Sequence, residues 1–175
     1  HSPDRDGLFA AIVATLDRAG LAIQQARLLD GPGATVFDTF EVLPAEGRAA
    51  VAADEVEQRL AATLALPDLD AVRPARRAQP RHLRHFRRVP QVAFGDGGRR
   101  TVLSLVCTDR PGLLADVTRV LRARRLRVHD ARIATFGERA EDVFRITDER
   151  ERPLDEPQQQ ALRDALLACL DGETA

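Results

Sequence analysis

Apolar residues recur along this chain at two spacings, and the switches between them predict its elements. Leu8, Phe9, Ile12 and Leu16 fall at helical intervals, predicting a helix over 7–19 that Gly20 ends. Leu21 to Leu29 reads as a strand, Asp30-Gly31-Pro32-Gly33 as a turn, and Val36 to Leu43 as the returning strand. Val56, Leu60 and Leu64 mark a second helix from about Asp54 to Leu66, stopped by Pro67. Past residue 90, Gln91 to Phe94 and Thr101 to Cys107 read as a hairpin around Gly95-Asp96-Gly97-Gly98. Leu113, Leu114, Val117, Val120 and Leu121 then stripe a helix from about Pro111 to Arg125. Leu126 to Phe136 and Glu141 to Thr147 form a second hairpin across Gly137-Glu138. Asp155 caps a last helix with Pro157 in its first turn, and Leu162, Leu166, Cys169 and Leu170 face inward.

The two halves repeat each other at an offset of about 105 positions. Asp4, Arg5, Gly7, Leu8, Ala10, Leu16, Leu21, Ala26 and Arg27 match Asp109, Arg110, Gly112, Leu113, Ala115, Leu121, Leu126, Ala131 and Arg132. Strand phase changes once in each half, which predicts a β-bulge around Gln24-Gln25 and another around His129-Asp130. Each half is therefore helix–strand–strand–helix, and the second is preceded by two strands. The fold class this implies is α+β, two ferredoxin-like domains with antiparallel sheets. The second is permuted, ββαββα, with its edge strand supplied in front. The first lacks its leading strands, so its sheet is expected to be incomplete or to borrow a strand. The divisions are 1–70, a connector over 71–90, and 91–175.

Composition narrows the function classes. With 44% apolar and 30% charged residues the chain is a globular one, and no apolar run approaches the roughly 20 residues that span a bilayer. A net charge of -1 supplies no global field toward nucleic acid or membrane. Every basic residue other than histidine is arginine, which fits codon bias, so arginine richness by itself says little. The chain has no methionine and opens on His1-Ser2-Pro3, so it reads as a segment cut from a longer protein. Cys107 and Cys169 have no metal or redox spacing and read as buried reduced thiols of a cytoplasmic protein. The connector carries Arg73, Arg76, Arg77, Arg81, Arg84, Arg87 and Arg88 with His82 and His85. It reads as a solvated linker lying against Glu138, Glu141 and Glu149; a docking patch for RNA or protein is the other reading. The fold also hosts RNA-recognition motifs, but there is no Tyr or Trp to stack bases, so nucleic acid is not the expected partner.

The stretch Asp109-Arg110-Pro111-Gly112-Leu113-Leu114, set between a strand and a helix, resembles the amino-acid-binding loop of ACT domains. Tandem copies, Arg84-His85-Phe86 in the connector and Gly137 to Phe144 in the second hairpin narrow the resemblance. It is to the ACT pair of bifunctional enzymes that modify the nitrogen-regulatory protein PII; Asp38-Thr39-Phe40 fits the same pattern. That resemblance implies a non-catalytic segment that senses glutamine for upstream nucleotidyltransferase and hydrolase domains of the same chain. It implies no cofactor in the segment, and Mg2+ only for those catalytic domains. A stand-alone tandem ACT protein that binds another amino acid, or only dimerises, is the alternative.

The motif has chemistry to match. Helix-opening amides behind Gly112 lack intrahelical partners and favour a carboxylate. Asp109 can receive an ammonium, and His129, Asp130 and Ala131 can form the other wall. An ordinary N-cap at Asp109 and a tight turn at Gly112 fit the same residues. In the first copy Asp6 stands where the second has Pro111, so Asp4, Gly7 and Leu8 make the weaker site. Gly112→Val is then expected to abolish glutamine binding and Gly7→Val to leave it intact.

Overall fold

The computed structural model describes residues 2–3, 5–33, 35–45, 47–73, 89–136 and 138–171. Its elements run β1 (Ser2–Pro3), α1 (Leu8–Arg18), β2 (Leu21–Asp30), β3 (Thr35–Pro44), α2 (Ala53–Leu64), a 3-10 turn (Leu69–Ala71), β4 (Gln91–Asp96), β5 (Thr101–Thr108), α3 (Leu113–Ala123), β6 (Arg127–Phe136), β7 (Arg139–Thr147) and α4 (Glu156–Asp171).

The second unit is the four-stranded antiparallel sheet β4-β5-β7-β6 with α3 and α4 on one face. The preceding hairpin does fill the edge beside β5, giving the ββαββα order. Strict alternation on β5 buries Thr101, Leu103, Leu105 and Cys107, while Val102, Ser104 and Val106 are only partly covered. Phe144, Ile146, Leu162 and Leu166 close that core. Asp155 and Gln158 cap α4 reciprocally: each side chain accepts from the other's backbone amide, at 2.8 and 3.0 Å.

The first unit is the three-stranded sheet β1-β3-β2 with α1 and α2. Among the described residues its leading strand is the two-residue β1. Ser2 and Pro3 pair with Val36 and Thr35, on the flank of β3 that corresponds to the place of β5 beside β7. Both bulges occur where the phase change places them, with ladder shifts between Ile23 and Gln25 and between Val128 and Asp130.

The units pack through like elements. β2 lies alongside β6, and α1 alongside α3. Ala26 and its repeat counterpart Ala131 share one buried cluster, and Ile23, Phe9 and Phe40 of the first unit pack against it. Phe9 and Phe40 stack with ring centres 6.1 Å apart. The connector stretch 74–88, with its arginines, His82 and His85, lies outside the described residues. Among the described residues, Arg139 lies 2.8 Å from Glu141 and Arg125 3.5 Å from Glu149.

Candidate functional site

Both loops fold alike. Gly7 and Gly112 occupy the N-cap positions with φ of +76° and +79°, a left-handed conformation that other residues adopt at a cost. In each, the first helical amide turns back on the loop: Leu8 donates to the Arg5 carbonyl and Leu113 to the Arg110 carbonyl, both at 3.1 Å. Glycine holds the cap position, without a side-chain capping bond, so Asp109 is no N-cap.

Beyond the backbone the loops diverge. Arg110 turns inward to Asp116, in the first turn of α3, at 2.7 Å. Arg5 turns away and donates to the Leu64 and Leu66 carbonyls at 2.6 and 3.0 Å, tying the first loop to the end of α2. No acidic residue stands in the first turn of α1, where Ala11 holds the place of Asp116. The second helix start thus has a paired carboxylate within its first turn, whereas the first has Asp6 just ahead of its cap.

A cleft of about 100 Å³ opens at the first loop. Its walls come from both units: Arg5, Asp6, Gly7, Leu8 and Asp38 from the first, and Arg122, Arg127 and His129 from the second. His129 is the extra residue of the β6 bulge, and its Nε2 lies 2.9 Å from the Thr147 hydroxyl. The bulge is what brings this ring to the cleft. Its neighbours go elsewhere: Asp130 lies 3.9 Å from Arg145, and Ala131 is buried in the core. Asp4 lies outside the described residues.

Asp109, Arg110, Pro111, Gly112, Leu113 and Leu114 are not among the residues lining that cleft. Leu113 is core, and Leu114 packs against it. Asp109 is half-buried; its amide donates to the Glu138 carbonyl at 2.9 Å, and burial raises its carboxyl above the ordinary range. Nearby, Asp142 is almost wholly buried on β7. Desolvation, helped by the Asp109 charge, pushes it up to about 7, and its Oδ1 has no hydrogen-bond partner among the described residues. Sequence reasoning missed Arg122 and Asp142. Asp142 is at least hinted at by Asp38, which matches it in the repeat after a one-residue slip in the hairpin loop; Arg122 sits on an ordinary amphipathic helix and carries no local signal.

The family model of the ACT domain matches residues 101–164, within the second unit. The chain is 66% identical over 176 residues to a bifunctional uridylyltransferase/uridylyl-removing enzyme of Xanthomonas axonopodis pv. citri, an alignment covering 98% of this chain and 20% of that protein. The protein of the same description from Xanthomonas campestris pv. campestris is 64% identical over the same shares. That from Stutzerimonas stutzeri is 39% identical over 164 residues, 90% of this chain and 18% of its own. The chain thus spans about a fifth of the length of the curated relatives it matches. No solved structure matches it.

Proposed function

We propose that this chain is the amino-acid-sensing regulatory segment of a bifunctional uridylyltransferase/uridylyl-removing enzyme acting on PII, and that its effector is glutamine. The observation that carries the sensing role is the cleft at the first loop, where Asp6 and Asp38 of one unit, with Arg5 beside them, share the lining with Arg122, Arg127 and His129 of the other. Such a lining suits a zwitterion. Because both units contribute walls, an occupant has different affinities for docked and separated units, which is the requirement for a ligand to bias upstream domains. Judged from the loops alone the second ranks first; the described cleft favours the first, with Asp109 to Leu114 as the second candidate site. Catalysis, and any Mg2+ it needs, belongs to domains outside this segment.

A thermal-shift screen of the twenty amino acids on this chain tests the reading. Glutamine at about 100 times its Kd should add roughly 2.7 kcal/mol of stability. A shift with another amino acid but not glutamine would sink the glutamine assignment; no shift with any would sink sensing. A purely dimerising module is the second reading, favoured by apolar side chains left on the sheet faces, among them Leu29, Phe37, Leu43 and Phe136. It predicts concentration-dependent mass with no amino-acid response.

A further inference from the structure

Arg122 lies in the last turn of α3, in the second unit, yet its guanidinium rests on the first unit's loop. It covers Gly7 so closely that a Cβ there would run into Nη1 and Cζ. Three features make this more than packing. The first loop's own arginine, Arg5, lines the cleft, but both of its terminal nitrogens are committed to the carbonyls that end α2. Its first helical amide is already bonded to Arg5, so the backbone alone is a poor anion cradle. And the repeat does not account for an arginine here: the counterpart of Arg122 at the 105-residue offset is Asp17.

We propose that Arg122 is the carboxylate anchor of this cleft, supplied across the unit boundary to hold an α-amino acid at the first loop. The inference rests on the reading that the cleft takes an amino acid. A guanidinium offers paired donors in a plane that matches a carboxylate. Asp6 and Asp38, in the same cleft, receive the ammonium. The negative charge of Asp6 then no longer counts against the site, since the cationic partner comes from the other unit. Binding pins the two units together, because the ligand's carboxylate meets Arg122 of the second unit while its ammonium meets the aspartates of the first.

The test is calorimetric titration of the whole chain with L-glutamine and with its α-carboxamide, which lacks the carboxylate. Arg122→Gln should weaken L-glutamine about ten- to a hundred-fold, the loss expected for one charged hydrogen-bonding partner, and leave the carboxamide within about two-fold. Arg122→Lys should recover part of the loss, and serves as the readout if the glutamine variant does not fold. Equal or tighter binding of L-glutamine by the folded Arg122 variants overturns the anchor while leaving the sensing role standing. An equal loss for both ligands overturns it too, because the arginine would then not be reading the carboxylate. Failure of the wild-type chain to bind L-glutamine overturns the effector reading first.

Discussion

The Arg110 guanidinium lies 2.7 Å from the Asp116 carboxylate, and both side chains are largely buried, 7% and 19% exposed. The pair is what separates the second loop from the first, where the equivalent arginine ties the loop to α2. Removing one partner leaves the other charge desolvated, which costs about 3 kcal/mol. Asp116→Asn should therefore lower the stability of the second unit by that order in urea titrations. Arg5→Gln loses only bonds to carbonyls near the surface, about 1 kcal/mol. Equal effects would mean the buried pair has no special weight.

Gly7→Ala and Gly112→Ala place a side chain at φ near +76° and +79°, and each should cost about 1–2 kcal/mol. Only Gly7→Ala also displaces Arg122. Amino-acid affinity should then fall in Gly7→Ala and change little in Gly112→Ala, the reverse of what the loop sequences alone suggest. Titration of the two variants side by side decides between the loops.

Asp142 makes stability depend on pH with a defined sign. Its carboxyl has an ordinary value of 3.8 and is pushed up to about 7 in the folded chain by burial and by the charge of Asp109. Below pH 4 it is protonated in both states and contributes no slope. Between about 4 and 7 the folded form keeps the proton and the unfolded form releases it, so stability falls as pH rises. Above 7 the loss is complete, roughly 4 kcal/mol. Asp142→Asn should flatten this part of the curve and be the more stable protein at pH 8. An unchanged slope would show that another group carries it.

Arg125 ends α3 with φ at +55°, in the place where Gly20 ends α1 at +81°. Its side chain is 81% exposed, and its distance to Glu149 is 3.5 Å, so little holds it there. Arg125→Gly should stabilise the second unit by about 1 kcal/mol, seen as a rise in the denaturation midpoint with no change in slope.

Cys107 is buried, and desolvation, reinforced by Asp142, pushes its thiol up to about 12. In a Cys169→Ser variant the remaining thiol should react with Ellman's reagent at pH 8 only as fast as the chain opens. Rapid reaction in the folded protein would show a path to Cys107 that the packing excludes.

Sequence periodicity alone was enough to locate the helices and strands, both bulges, the repeat and the edge hairpin. Those features are local: a helical stripe, an alternation or a slipped phase is written in neighbouring residues. The two-residue β1 escaped, because a strand that short has no period to read. The resemblance of Asp109 to Leu114 likewise marked an ACT loop without help from the fold. What the sequence did not determine is which groups each loop meets. β2 packs beside β6 and α1 beside α3, and this sets Arg122 and His129 of one unit against Gly7 of the other. That contact arises from burying Ala26 and Ala131 in a shared core, a long-range choice no local pattern encodes. The weight given to Asp6 shows the difference: judged on its own loop it is a repelling charge, and in the folded cleft it stands with Asp38 among basic side chains from across the boundary.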